Sequence, residues 1–534
     1  MKAIELIDNL FTMNDELTKD AAAHIAHGAN RKMEELNHDE FLHNLATWAA
    51  NKNDENVKDV LPSIKKKYDA AQIATLKDIL SVAIGQDSQE WEAPDFHIGT
   101  PGQYEEWNTN TMRIIVHRGT KQIGGSITEI AVKNTHILVD CGAELPGSTN
   151  TVSDSDIVKL LQTKHFDGVF FTHYHGDHTG LMDKIPREIP IYMDETMLII
   201  LRILHAYTGN KSMQELLDNH EGRIHTFKPR RGNVLTVGDM NIIPFFVDHS
   251  AYHANMFLFE SKATGHTVLH SGDFRSTGYM SKSLDMIPRL IHEYYHKQVD
   301  VLLTEGTMMT RSTKDEHLLT EWDVKKEATA FLRDHRQIFV VCSSTNFDSL
   351  TSVCNAARAN NIPIYGSPYI MEMLKTFSGL AGKYTRLYRL PPVKGIDEMK
   401  RVHPKEGVVL LGSLLNREKE DAYSLYDRYG HYMSDYKPYL IYSMWQGYLN
   451  PKHLAYDEGF STFVKRFGSS VKYIHSSGHA DRDTLAKFIK AIAPRKYIVP
   501  FHTENPIGFK NLNIKDQYKE MVILPQDGDT IEIV

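Results

Sequence analysis

With 534 residues and a net charge of -8 at neutral pH, the chain is too long for one ordinary domain and has no global attraction for nucleic acid. Two or three domains are expected, each able to bury its own core, and any polyanion would have to be held by a local basic cleft or by bound metal. Its three cysteines, Cys141, Cys342 and Cys354, are odd in number and scattered, which argues against a disulfide-stapled secreted scaffold and against a thiolate metal site, whereas 28 histidines point toward imidazole ligands.

The N-terminal MKAIELIDNLF carries Glu5 and Asp8 where an export signal needs an unbroken apolar stretch, and the apolar run Met197 to Leu204 is interrupted by Arg202. The expectation is a cytoplasmic protein without membrane association. Apolar residues at helical spacing (Ile4, Ile7, Leu10, Phe11; then Ile73, Leu76, Leu80, Ala83, Ile84) predict a helical domain over 1–88. Residues 89–111, rich in Pro, Gly and Asn, read as a linker. From Met112 onward, short β-branched runs alternate with polar or helical stretches: Arg113 to Val116, His136 to Val139, Gly168 to Phe171, Asn241 to Phe246, Thr267 to Leu269 and Val301 to Leu303. This is an α/β pattern over 112–314. A second α/β segment covers 315–465 and includes the buried-strand candidate Ile338 to Val341. Residues 466–534 return to strand, helix, strand, with Asp527-Gly528 as a predicted hairpin turn.

The most informative segment is Thr172-His173-Tyr174-His175-Gly176-Asp177-His178, placed directly after the strand Val169 to Phe171. In extended chain His173 and His175 point to one side, and a turn at Gly176 can bring Asp177 and His178 round to a second point nearby, so one loop can serve two metals. Two metals need more ligands, and strand ends supply candidates: His249 in VDHSAYH, Asp273 in LHSGDF and His502 in IVPFHTEN. Imidazole and carboxylate without thiolate suit zinc, and manganese accepts much the same set. Asp140, closing the strand Ile137 to Val139, is placed to hold either a ligand imidazole or the metal-bound water.

In their order, Asp140, His173 to His178, His249 and Asp273 resemble the metal-binding motifs of the metallo-β-lactamase superfamily. Glu305 in Leu303-Thr304-Glu305-Gly306-Thr307, His479 in His475-Ser476-Ser477-Gly478-His479-Ala480, and His502 in Phe501-His502-Thr503-Glu504 resemble the β-CASP branch, whose nearest members are ribonuclease J-like. The resemblance implies an αββα sandwich, 112–314 and 466–534, interrupted by a β-CASP domain over 315–465. It also implies one zinc on His173, His175 and His249, a second on Asp177, His178 and His502, and Asp273 bridging them. His479 would protonate the leaving group or steady the phosphate, Glu305 would orient a histidine, and His475, Ser344 and Asn346 would contact substrate. Where the family has a Ser-Asn followed closely by Arg, Ser343 to Ser349 offers no Arg, and Ser443-Met444-Trp445-Gln446-Gly447 matches the family's glycine-rich loop only in part.

The expected activity is zinc-dependent phosphodiester hydrolysis of single-stranded RNA through a metal-bound hydroxide. The alternatives are a small-molecule hydrolase acting on a lactone, thioester or cyclic nucleotide, which would leave the insert without a role, and a non-catalytic RNA-binding protein, which would normally have lost ligands. A homo-oligomer through the N-terminal helices or the core is a further expectation. The tyrosines Tyr426, Tyr429, Tyr432, Tyr436, Tyr439 and Tyr442, interleaved with Arg428 and Lys437, could stack RNA bases, but their spacing near three is that of a buried helix face, which is the reading adopted.

Overall fold

The computed structural model describes residues 111–145, 152–311, 318–412, 422–433, 438–453 and 455–533. The helical domain expected over 1–88, and the expected linker apart from its last residue, lie outside the described residues, as do Tyr436 and Lys437.

Among the described residues, three sheets organise the fold. In the first, β1 (Met112–Arg118), β2 (Ile127–Val132), β3 (Thr135–Val139), β4 (Gly168–Phe170), β5 (Ile191–Asp194) and β6 (Ile224–Phe227) lie side by side, and the C-terminal β19 (Thr530–Ile533) borders β1. Pairing is antiparallel from β19 to β3 and parallel from β3 to β6. The second sheet contains β7 (Leu235–Val237), β8 (Met240–Val247), β9 (Ala254–Ser261), β10 (Thr267–His270) and β11 (Val301–Glu305), with β18 (Tyr497–Phe501) beside β11. Both sheets present alternating apolar residues to each other: Ile114, Val116, Ile137, Val139 and Phe170 from the first meet Phe257, Phe259, Val268, Leu303 and Phe501 from the second in one buried cluster.

Their outer faces are covered by helices. Asp154–Thr163 and Glu195–Thr208 bury Ile157, Leu161, Ile200 and Leu201 against the first sheet, and Lys282–Arg289 with Arg482–Ile492 bury Ile287, Leu485 and Ile489 against the second. The result is the expected αββα sandwich.

The third sheet is wholly parallel, in the order β14 (Val393–Gly395), β13 (Ile364–Gly366), β15 (Gly407–Gly412), β12 (Gln337–Cys342), β16 (Tyr439–Ser443), β17 (Val471–Tyr473). Its central strands β12 and β15 are buried at every residue, which is why they read as continuous apolar runs rather than alternating ones. Tyr429 and Tyr442 are buried there and Tyr426 and Tyr432 pack against the same cluster, in line with a core role for that stretch.

One expectation needs correcting. Asp527 and Gly528 do form a turn, with Gly528 at φ 88°, but its two arms do not pair with each other. Val522 bridges to Ile498 in β18, while β19 pairs with β1. The Asp527 carboxylate instead accepts from the Thr120 amide and hydroxyl at 2.9 and 2.8 Å.

Candidate metal centre

The β4 strand ends at Phe170, and the chain that follows carries His173 and His175 before a short helical turn, Gly176–Thr179, brings Asp177 and His178 inward. That turn is held against the loop after β3: Cys141 N donates to His178 O at 2.8 Å, and Ala143 N to Gly176 O at 3.1 Å. Gly142 permits the contact, since a Cβ there would lie 1.7 Å from Asp177 O. Ser126 N, from the glycine-rich loop after β1, donates to Asp177 O at 3.0 Å.

The remaining candidates arrive from the second sheet. His249 follows β8, Asp273 follows β10, Glu305 closes β11 and His502 follows β18, while His479 lies in the loop preceding helix Arg482–Ile492. Among the described residues four overlapping donor groups result, His173/His175/His249, Asp177/His178/His502, His173/His178/Asp273 and Asp273/Glu305/His479/His502, so that Asp273 links the others. In the first, His173 Nε2 and His249 Nε2 approach His175 Nδ1 at 3.1 and 3.2 Å. In the second, His502 Nε2 is 3.3 Å and His178 Nε2 4.0 Å from Asp177 Oδ2. Asp273 Oδ2 lies 3.2 Å from His178 Nε2 and 4.0 Å from His173 Nε2, and its Oδ1 lies 3.7 Å from His502 Nδ1.

This donor set fits divalent cations. His178 Nε2 and Asp273 Oδ1 are buried with no hydrogen-bond partner, a costly arrangement unless something else satisfies them. Burial and the neighbouring imidazoles keep His173 and His249 well below the ordinary histidine value, and burial brings His175 down to about 4, so all three offer neutral lone pairs to one point.

The supporting residues are equally specific. Asp140 stands at φ 63°, a left-handed conformation uncommon for a non-glycine residue, and His502 at φ 51° is another. Asp140 Oδ2 meets His178 Nδ1 at 2.7 Å, and Thr172 N donates to Asp140 Oδ1 at 2.8 Å. Burial works against a charged His178, yet Asp273 and Asp140 together hold it well above its usual value. Thr307 Oγ1 lies 2.9 Å from His502 Nδ1, and His249 Nδ1 is 2.5 Å from Gly478 O. Each imidazole so held turns its other nitrogen toward the donor groups. Buried Glu305 accepts from Phe274 N (3.2 Å), Ala480 N (3.3 Å) and Thr307 N (3.0 Å), and its Oε1 lies 3.2 Å from His479 Nδ1. Against the opposing effect of burial, Glu305 and Asp273 raise the His479 pKa.

The expected substrate contacts are placed less uniformly. Ser344 lines a recess together with His175, Gly176, Ser343, Thr345 and Tyr369, between the metal loop and the third sheet. Asn346 is nearly buried, and its side chain caps helix Phe347–Ala359 by accepting from Ser349 N at 3.2 Å. His475 stands outside the donor clusters, with Nδ1 buried and unpartnered and its pKa lowered to about 4 by burial.

Sequence reasoning missed several contributors. Thr172 and Thr307 carry no motif signal. Gly124 N donates to His502 Nε2 at 2.9 Å and Gly119 O accepts from His502 N at 2.7 Å; the glycine-rich Gly119–Gly125 segment after a strand was the available clue. A further omission is Arg275, fully buried and reaching Asp248, Glu321 and Asp348 at 3.6, 3.4 and 2.8 Å, which ties the ligand-bearing loops to helices flanking the third sheet.

Comparison with known proteins agrees with this geometry. Residues 135–341 match the β-lactamase superfamily domain, and residues 468–510 match the Zn-dependent metallo-hydrolase RNA specificity domain. The chain is 21% identical over 451 residues to ribonuclease J2 of Bacillus subtilis (strain 168), covering 80% of this chain and 76% of that protein. It is 25% identical over 211 residues to probable RNase MJ4 of Methanocaldococcus jannaschii, covering 37% of this chain and 45% of that protein. In fold it resembles the solved structure of a protein of unknown function from Enterococcus faecalis V583, with a TM-score of 0.59 at 18% identity, covering 79% of this chain and all of that one. The chain thus carries a β-lactamase superfamily domain and an RNA specificity domain, and its similarity to ribonuclease J2 along four fifths of its length supports the ribonuclease J-like β-CASP branch of the metallo-β-lactamase superfamily.

Proposed function

We propose that the chain is a two-zinc ribonuclease that hydrolyses single-stranded RNA in the cytoplasm. The observation that carries this reading is the pair of donor clusters sharing Asp273 in a chain that also has an RNA specificity domain. In this reading His173, His175 and His249 hold one zinc, Asp177, His178 and His502 hold the other, and Asp273 serves both. When bound, such a pair of divalent cations acidifies water at neutral pH and neutralises charge developing on phosphate oxygens.

The chain's own groups do the rest. Asp140 fixes the His178 tautomer so that Nε2 is the free nitrogen, and Thr307 engages Nδ1 of His502, whose Nε2 faces Asp177 and accepts from the Gly124 amide. Glu305 holds His479 from behind and favours its protonated form, which suits it to deliver a proton to the leaving oxygen of RNA. Ser344 borders the recess beside His175, where the chain leading to the scissile bond would lie. Among the described residues no helix is long and apolar enough to cross a membrane, and Cys141, Cys342 and Cys354 are all free thiols, as a reducing compartment allows.

The test is cleavage of end-labelled single-stranded RNA, bearing a five-prime monophosphate or hydroxyl, by wild type, by wild type with chelator and by Asp177→Ala. Cleavage only by untreated wild type is expected. Equal cleavage by Asp177→Ala would exclude this centre as the source.

A further inference from the structure

An RNA chain brings one negative charge per nucleotide to a protein whose own net charge is -8, so the strand is met with least repulsion where cations stand uncompensated. One such stretch runs from Met373 to Gly395, which contains Lys375, Lys383, Arg386, Arg389 and Lys394 and no Asp or Glu. Lys394 is turned to the Tyr365 ring, 5.9 Å from its centroid. Lys383, Arg386 and Arg389 are exposed, and Tyr384 between them is 83% exposed. Arg358, exposed near the end of helix Phe347–Ala359, comes beside them. Among the described residues none of these four cations forms an ion pair, and no other ring packs on Tyr384.

The segment is fixed from below. Tyr388 is buried, and its hydroxyl donates to Asp348 Oδ1 at 2.8 Å. Asn355 Nδ2 donates to Leu387 O at 3.0 Å and Arg358 Nη1 to Arg389 O at 2.8 Å, so the segment is sewn to one helix at three points. Asp348 and Arg358 are separated by roughly 15 Å of that helix, which gives the surface its length. Arg389 Nε closes the loop by donating to Gly382 O at 2.9 Å. The carboxylate beneath does not neutralise the cations above it, because Asp348 Oδ2 already accepts from Arg275 Nη2 at 2.8 Å.

The surface also adjoins a loop of the metal centre. Tyr388 stands edge-on to Tyr252 with ring centroids 5.7 Å apart, and Tyr252 lies three residues after His249. Burial and, after it, the nearby Tyr384 hydroxyl raise the Tyr252 pKa.

We propose that Lys383, Tyr384, Arg386, Arg389 and Arg358 form a holding surface for single-stranded RNA outside the metal centre, with the cations on backbone phosphates and Tyr384 stacked on a base. The inference rests on the ribonuclease reading above and adds where the strand beyond the scissile bond is carried. An open aromatic face set among free cations matches a chain of alternating bases and phosphates better than it matches acidic protein. Stacking on that face is sequence-tolerant and demands an unpaired base, so the surface selects single strands without selecting sequence.

The experiment measures kcat/KM on an unstructured labelled RNA at several salt concentrations for wild type, Lys383→Ala/Arg386→Ala, Tyr384→Ala and Tyr384→Phe. Binding of the same RNA, single-stranded or annealed to its complement, is measured with chelator present, and circular dichroism establishes that each variant is folded. Lys383→Ala/Arg386→Ala is expected to lower the slope of log affinity against log salt by about 1.4, at about 0.7 for each phosphate contact on a single strand. Tyr384→Ala is expected to weaken single-strand binding by about 5- to 150-fold with no such loss on the duplex, and Tyr384→Phe to recover most of the loss. Wild-type salt slope and wild-type kcat/KM in both alanine variants, on RNA that wild type cuts, overturn the surface alone and leave its cations to another polyanion, such as acidic protein. Equal losses on bis(p-nitrophenyl) phosphate, too small to reach from the centre to this surface, also overturn it, because they assign the residues to the fold. RNA that wild type neither binds nor cuts overturns the ribonuclease reading and takes the surface with it.

Discussion

Replacing Asp140 by Asn changes one charge at the base of the centre and almost nothing else. The residue sits at φ 63°, and Asn tolerates the left-handed region better than most residues, so the backbone is not strained by the change. Its side-chain oxygen can still accept from Thr172 N, which donates to Asp140 Oδ1 at 2.8 Å in the native protein. What fails is the contact with His178 Nδ1 at 2.7 Å, where an amide NH₂ now faces a ring nitrogen that must carry a proton if Nε2 is to be a ligand. Either two donors oppose each other or the tautomer flips and Nε2 is protonated. Losing such a supporting contact costs about 10- to 100-fold in metal affinity, or about 1.4 to 2.8 kcal/mol. The assay is competition with a chromophoric zinc chelator at neutral pH, with circular dichroism to establish that the variant is folded. Zinc affinity within about twofold of wild type in folded protein would refute the role given to Asp140.

His479→Ala should retain both metals, because the groups His173/His175/His249 and Asp177/His178/His502 are complete without it, yet lower RNA turnover by about 10²- to 10⁴-fold; loss of an ion from the variant, or equal losses on an ester whose leaving group needs no proton, would assign His479 another role. Buried Glu129 meets His117 and His136 at 2.7 Å each and Lys164 at 2.7 Å, and although burial opposes it these partners depress its pKa. A depressed folded-state pKa gives stability that is present above the unfolded value of about 4.3 and is lost as pH falls toward the folded one. Glu129→Gln should therefore cost about 3 to 5 kcal/mol at pH 7 in urea unfolding, with the gap from wild type narrowing below about pH 4; equal midpoints at pH 7 would contradict this. Arg275→Met leaves Asp248, Glu321 and Asp348 buried without their common cation and should destabilise the fold by a similar amount, read by the same unfolding curves.

Much of the candidate centre was legible because several of its candidate donors follow short apolar strands. His173 follows β4, His249 follows β8, Asp273 follows β10 and His502 follows β18, and strand ends can be found from local pattern alone. The sandwich was legible for the same reason. What stayed hidden depends on partners distant in the chain. The Asp527-Gly528 turn looked like a hairpin, but β19 finds its partner in β1, at the opposite end of the described chain, and no local signal reports that. The cap that Asn346 makes on helix Phe347–Ala359 was likewise not read from the sequence. Arg275, Asp248, Glu321 and Asp348 are unremarkable charges in sequence and become one buried network only when two parts of the fold meet. The Arg311 guanidinium over the Trp445 ring is of the same kind, a contact between a residue that precedes the third sheet's strands and one that lies between β16 and β17.

Metal stoichiometry tests the central claim most directly. Elemental analysis of purified protein at a known concentration, for wild type, His249→Ala and His502→Ala, with cleavage of single-stranded RNA measured on the same samples, is the decisive measurement. The expected result is close to two zinc or manganese ions per wild-type chain, a lowered content in each variant, and RNA cleavage lost wherever an ion is lost. One ion or none in well-folded wild type that still cuts RNA, or full activity in a variant that has lost an ion, would contradict the shared two-metal centre.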